Sequence, residues 1–166
     1  MSKFEELCQS YVLSRKTYVD YRDACLAFSQ ALLEALVRYL EVPDGRIRLV
    51  PVNREPDAEA IYPLGGAMHL DDDTYWHLGV LIDLSDPAGA YPPQAVLIKL
   101  LLKRCAASFC VRLGQEGDDF AVRDGYPQDL ASFMDHIHKT IKESYEEGLQ
   151  QFLIQQESTR KIGFSD

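Results

Sequence analysis

Residues 76–84 read Trp-His-Leu-Gly-Val-Leu-Ile-Asp-Leu, and this stretch decides the fold. From Trp76 onward every second residue is large and apolar, whereas His77, Gly79 and Asp83 fall on the alternate positions. Side chains of a strand point to its two faces in turn, so this period predicts a strand with one buried face. Because Trp76 lies on the more apolar face, we expect its side chain in the core.

Other stretches on both sides of this strand also have strand character. Residues 46–52 alternate in the same way, and residues 108–113 and 119–123 flank a five-residue loop with two glycines, which suits a hairpin. Residues 95–104 are strongly apolar but follow two consecutive prolines, which can also open a helix. Strand and helix therefore both stay open for residues 95–104.

A long helix is predicted at the start of the chain. Ser2 and Glu5 have the spacing of a capping box, and no proline follows until Pro43. An unbroken helix over this range would be about 57 Å long, more than one sheet can cover, so it either bends near Ser14 or overhangs. Its apolar residues form one stripe of two heptad-spaced columns: Phe4, Tyr11, Tyr18, Cys25, Leu32, Tyr39 and Val12, Val19, Leu26, Leu33, Leu40.

A second long helix is predicted near the other end. Pro127 suits its first turn, an apolar stripe runs to Leu153, and we expect it to end near Glu157. The predicted fold is α+β, an antiparallel sheet of about five strands packed by long N-terminal and C-terminal helices. We expect one domain over residues 1–157 and a C-terminal tail, frayed or docked, over residues 158–166.

Composition narrows the classes of partner. The 17 basic and 26 acidic residues give a net charge of −9, which repels phosphate backbones and makes nucleic acid a disfavoured partner.

The start of the chain lacks the apolar stretch of a signal peptide, and no apolar run approaches the length of a membrane span. We therefore expect a cytoplasmic protein. The four cysteines form no Cys-x-x-Cys pair and are predicted to be inert core thiols: Cys8, Cys25, Cys105 and Cys110.

The densest group of chemically active side chains lies in residues 69–77, where His69, Asp71, Asp73 and His77 could together offer ligands to a divalent metal. An odd hairpin loop of Asp71 to Asp73 places both histidines on the same face, whereas a four-residue loop through Thr74 separates them. The odd loop is favoured because it buries Met68 and Leu70 beside Trp76. The simpler interpretation is an aspartate-rich turn flanked by exposed histidines. On that interpretation no cofactor is expected, and the purified protein carries no tightly bound metal.

Two surfaces are candidates for contact with a protein partner. One is the helix stripe, especially at the end most apt to protrude: Phe4, Leu7, Tyr11 and Val12. The other is the sheet face opposite Trp76, which is predicted to carry four basic side chains among apolar ones: Lys99, Lys103, Arg112 and Arg123. Three of these, Lys99, Lys103 and Arg112, could instead hold a small anion.

Catalytic signatures are missing from the sequence, which lacks the phosphate-loop, dinucleotide-binding, nucleophile-elbow and zinc-protease motifs. The leading hypothesis is a non-enzymatic protein-interaction module of an accessory, inhibitor or immunity type, with a protein partner or a second copy of itself. The alternative is a metal-dependent hydrolase or metal-binding protein that uses the His69, Asp71, Asp73 and His77 cluster.

Overall fold

A computed structural model describes residues 2–147 and 159–164 of the chain. These residues form three helices and seven strands. In chain order they are α1 (Lys3–Leu40), β1 (Ile47–Val50), α2 (Leu64–Ala67), β2 (His69–Leu70), β3 (Trp76–Leu84), β4 (Gln94–Cys105), β5 (Ser108–Leu113), β6 (Phe120–Arg123), α3 (Pro127–Glu146) and β7 (Thr159–Ile162).

Helix α1 begins and ends as the sequence predicts. The Ser2 hydroxyl accepts a hydrogen bond from the Glu5 backbone N–H at 3.2 Å, and the Ser2 N–H donates to the Glu5 carboxylate at 2.6 Å. These two bonds satisfy donors that the first turn leaves free. At the other end Glu41 adopts a left-handed conformation, and the Val42 N–H reaches back to the Val37 carbonyl at 3.1 Å. The helix therefore ends at Leu40, just ahead of Pro43.

The strands form one sheet in the order β1-β3-β4-β5-β6, with every pair along this path antiparallel. Strand β2 adds a short pairing to the first residues of β3. The alternative left open for residues 95–104 resolves to a strand, because nearly the whole length of β3 hydrogen-bonds to this segment. The predicted hairpin over residues 108–123 is confirmed. The fold is α+β, as predicted.

The segment predicted as a tail is in part a strand. Residues Thr159–Ile162 form β7, which pairs in parallel with Ala95–Ile98 of β4 and buries Ile162. Strand β5 covers only the second half of β4, so β7 occupies the edge that β5 leaves open. The two strands meet end to end at Gly114 and Gly163, where a Cβ on Gly163 would lie 2.8 Å from the Gly114 Cα.

One face of the sheet is covered by the two long helices. This face carries Trp76, whose burial confirms the prediction, and it packs against both long helices, with Cys25 of α1 and Phe133 of α3 in the core. Helices α1 and α3 also touch each other, and the Tyr39 hydroxyl donates to the Asp135 carboxylate at 3.0 Å. The apolar stripe of α3 runs through Phe133, Met134 and Ile137, and the part of its predicted stripe beyond residue 147 lies outside the described residues.

Candidate functional sites

The first half of α1 overhangs the domain. Every residue from 2 to 18 is exposed, and the fully buried residues of the helix begin only at Cys25. Four large apolar side chains of the overhang were the predicted contacts of the helix stripe. Their exposed fractions are 72% for Phe4, 68% for Leu7, 65% for Tyr11 and 64% for Val12. Of the two alternatives for a helix this long, bend or overhang, the structure adopts the overhang in a single continuous helix.

The exposed stripe continues the face of α1 that packs on the sheet. At about 100° per residue, Phe4, Leu7 and Tyr11 lie within about 60° of one another around the axis, and Cys25 and Leu36 fall in the same sector. Cys25 and Leu36 are completely buried. The same helix face is therefore core in one half and solvent-facing in the other, although its composition is apolar throughout.

A second candidate site consists of the histidine and aspartate side chains around the turn between β2 and β3. The Asp71 carboxylate accepts a hydrogen bond from the Asp72 N–H at 2.8 Å, and the Asp73 carboxylate accepts one from the Tyr75 N–H at 2.9 Å. Thr74 takes a left-handed conformation with φ of 70°, which lets the Asp71 N–H bond to the Tyr75 carbonyl at 3.1 Å. The aspartates thus build the turn, as their preference for such positions predicts. The expectation of exposed histidines beside it is wrong, because the side chain of His69 is 19% exposed and that of His77 only 3%.

This turn brings the two histidines together. His69 and His77 are direct cross-strand partners, so the odd-loop prediction that they share a face is confirmed, and their ring centres are 5.1 Å apart. The Asp71 Oδ2 atom lies 4.0 Å from Nε2 of each histidine. Asp73 is also adjacent, with its Oδ2 2.8 Å from Nε2 of His77. The structure therefore brings all four predicted ligands into one cluster.

The surroundings of the cluster shift the pKa values of two of its groups, His69 and Asp73. Burial lowers the pKa of His69, and the neighbouring His77 and Lys99 lower it further against the opposing effect of Asp71. Burial alone would raise the pKa of Asp73, but hydrogen bonds from the Tyr75 N–H, His77 and Gln115 outweigh it and lower the value. His69 is thus more readily uncharged, and Asp73 more readily ionised, than either is in water.

The basic side chains of the opposite sheet face make contacts within the chain. Lys103 and Arg112 lie over the Tyr75 ring, at 4.4 Å and 4.3 Å from its centre. Arg112 also donates through Nε to the Asp119 carboxylate at 3.0 Å, and the Tyr75 hydroxyl donates to the same oxygen at 2.9 Å. The charge of Arg112, one of the three cations proposed to hold an anion, is therefore already matched by Asp119.

The other two basic residues have partners too. Lys99 lies 5.8 Å from the ring centre of Phe164, and Arg123 pairs with Asp129 of α3 at 2.8 Å. Sequence reasoning did not find the contributions of Gln115 and Asp119, which reach the cluster and Tyr75 from the loop between β5 and β6. The available signal was polar residues in a loop beside the basic Arg112, and that pattern is too common to identify a site.

Burial raises the pKa of two of the four thiols, Cys25 and Cys110. Burial and then hydrogen bonding with Cys105 raise the pKa of the Cys110 thiol to about 11, so it stays protonated near neutral pH. Cys25 is buried, but the prediction of a core thiol is wrong for Cys8, because that residue lies on the exposed half of α1.

The fold and these two groups define an α+β protein with an overhanging helix and a histidine–aspartate cluster. None of the helices in residues 2–147 and 159–164 is both long and apolar enough to cross a lipid bilayer. The chain matches no protein-family model, and no curated protein or solved structure was found to be similar to it.

Proposed function

We propose that this protein is an interaction module that self-associates, with the overhang of α1, residues 3–18, packed antiparallel against the overhang of a second copy. The observation that carries the proposal is the apolar face of α1, which continues beyond the sheet with Phe4, Leu7 and Tyr11 in water. Removing such surface from water is favourable by about 25 cal/mol per Å². A partner helix on this face would take the position that the sheet takes beneath the other half of α1.

A second copy is the occupant that the charge pattern favours. In the overhang, Lys3, Glu5 and Glu6 leave the first end with a net charge of −1, whereas Arg15 and Lys16 give the other end +2. An antiparallel pair places the acidic end of each helix beside the basic end of the other, whereas a parallel pair would place like charges together. Electrostatic complementarity of this kind sets orientation more than it sets affinity.

The same arrangement also matches the apolar residues. With the two-fold axis at Tyr11, the Phe4 side chain of one copy approaches Tyr18 of the second copy, and the two Tyr11 rings meet at the centre. The paired segment is residues 4–18, which is about 22 Å of helix, and it ends before the body of each copy begins. Because an overlap of this length falls at the small end of stable interfaces, we expect a reversible dimer whose population depends on concentration.

The test is equilibrium sedimentation of wild type beside two matched variants. Tyr11→Asp places two carboxylates at the centre of the proposed contact, and we expect it to be monomeric where wild type is dimeric. Leu13→Asp is the control, because Leu13 is as exposed as Tyr11, at 67%, but lies about 200° away around the helix. Leu13→Asp should sediment like wild type.

Deleting residues 2–14 separates self-association from folding. We expect the shortened chain to be monomeric, with the circular dichroism per residue and the unfolding midpoint of a folded domain, since the deleted residues are all exposed. A monomeric wild type across a wide concentration range, or equal behaviour of Tyr11→Asp and Leu13→Asp, would overturn the proposal.

A further inference from the structure

We propose that His69, Asp71 and His77 form a binding site for a late first-row divalent metal ion of the zinc class. The site is separate from the α1 overhang and does not depend on self-association. One ligand atom from each residue lies within 4.8 Å of the other two, so movements of the side chains alone can bring all three to one ion. Two imidazoles and one carboxylate are also ligand types that zinc-class ions accept.

The metal-free geometry is near the bound one. Ligands at about 2.0–2.2 Å from a tetrahedral ion are about 3.4 Å from one another. The Asp71 Oδ2 atom is 4.0 Å from each histidine Nε2, so a small closing movement is enough. Asp71 lies on the turn with 51% of its side chain exposed, and its other oxygen is held by the Asp72 N–H. That hydrogen bond leaves Oδ2 available to the histidines.

The two histidines are held by the sheet rather than by the loop. They are paired residues of β2 and β3, and the side chain of His77 is only 3% exposed. The strand pairing fixes the backbones of the two histidines, so adjustments of the two rings and of the Asp71 side chain are enough to close the site around an ion without rebuilding the strands. Three protein ligands also leave a coordination position for water or a ligand, because the Asp71 side of the cluster faces solvent.

Two features of the site limit its affinity for a metal ion. The Asp73 carboxylate already accepts a hydrogen bond from His77 Nε2 at 2.8 Å, and the metal must displace that bond. His69 Nδ1 is buried and has no hydrogen-bond partner among the described residues, so no acceptor outside the site orients this ring. Missing partners of that kind typically lower metal affinity about 10–100-fold. We therefore expect the site to load when metal is added but to lose it during purification with chelators.

The test uses the full chain, stripped of metal, and Zn²⁺ alone as the probe. Titration calorimetry should show one saturable ion per chain. Asp71→Asn and His69→Ala should each weaken binding at least tenfold, while Asp72→Asn, which removes the neighbouring carboxylate outside the cluster, should leave it unchanged. Circular dichroism of each variant checks that the fold is kept.

Cobalt substitution gives an independent readout of geometry. Bound Co²⁺ should show the visible absorption of a low-coordinate nitrogen and oxygen site in wild type and in Asp72→Asn, and not in His69→Ala. Absence of saturable Zn²⁺ binding by wild type, or equal loss in Asp71→Asn and Asp72→Asn, would overturn the proposal. The second outcome would mean that the acidic surface collects the ion without a defined site.

Discussion

At the scale of single residues, the side chains with the clearest roles lie on β3 and on the strands beside it. Trp76 fills the core face, while its neighbours Tyr75 and His77 turn to the other face and meet charged groups. Adjacent residues thus serve packing and polar chemistry in alternation, because a strand directs successive side chains to opposite sides. Replacing the packed Trp76 should therefore lower the stability of the domain at any pH, whereas replacing a charged partner on the other face should change how stability depends on pH.

Trp76→Ala is expected to lower the free energy of unfolding by about 3–5 kcal/mol, since a large buried aromatic leaves a cavity that the core cannot refill. Leu84→Ala is the control, because Leu84 ends the same strand but is exposed, and it should cost well under about 1 kcal/mol. Urea unfolding of the three proteins measures both values. Similar losses for the two variants would contradict the packing role of Trp76.

Asp119 should contribute to stability in a pH-dependent way. Burial on its own raises the pKa of this carboxyl, but hydrogen bonds from Arg112 and Tyr75 outweigh burial and lower it. A lowered pKa in the folded state stabilises the protein above the unfolded value of about 3.9 and stops doing so as the pH falls through the folded value.

The stability difference between wild type and Asp119→Asn should accordingly be constant near neutral pH and shrink as the pH falls below about 4. Denaturant unfolding across a pH series measures it. A difference that does not change with pH would show that the carboxylate charge plays no part.

At the scale of elements, close backbone approaches fix how strands are joined. Strand β1 lies at the edge of the sheet and pairs with β3, and Val50 is the partner of Gly79. A Cβ on Gly79 would lie 2.6 Å from the Val50 carbonyl oxygen and 2.7 Å from a methyl group of Val52. The Val50 carbonyl oxygen belongs to the backbone, so it cannot move aside without breaking the pairing of β1 and β3.

Gly79→Ala is therefore expected to destabilise the domain by about 1–3 kcal/mol, the usual cost of forcing extra atoms into a packed site. Gly65→Ala in α2 provides the control, because no atom lies within 4 Å of the Cβ that it adds. Thermal unfolding of both variants compares them. Equal melting temperatures would show that β1 shifts freely.

At the scale of the whole molecule, the body and the overhang of α1 have different roles. The body buries its apolar residues under two helices, whereas the overhang presents the same helix face to water. In the proposed dimer this asymmetry disappears, since each overhang covers the other. The acidic and basic ends of the overhang then make the association sensitive to salt.

Arg15→Glu should weaken self-association several-fold at low salt, because it faces the acidic Glu5 end of the second copy in the proposed dimer. The difference from wild type should vanish near 1 M salt, where charges are screened beyond about 3 Å. Lys142→Glu on α3 makes the same change of net charge and should leave the dissociation constant unaltered. Sedimentation at two salt concentrations decides between these outcomes.

The sequence by itself determined the features that depend on near neighbours in the chain. The alternation of residues 76–84 predicted a strand with Trp76 in the core, the Ser2 and Glu5 spacing predicted the start of α1, and Pro127 predicted the start of α3; all three are confirmed. The expectation that only one face of this strand is buried is wrong, because residues 76–80 are buried on both faces. The sequence also offered a shared face for His69 and His77 as one of two alternatives, and the structure adopts it. Each of these rests on local sterics and a fixed period, which need no knowledge of distant residues.

Only the tertiary structure decided the features that depend on distant partners. Residues 95–104 are a strand because β3 pairs with them, and residues 159–162 join the sheet because β5 leaves half of the β4 edge open. Gln115 reaches Asp73 from a loop about forty residues away in the chain. The apolar stripe of α1 looks alike along its whole length, and the extent of the sheet determines which half is buried. Burial depends on what surrounds a side chain, and an apolar pattern encodes only the tendency to be buried.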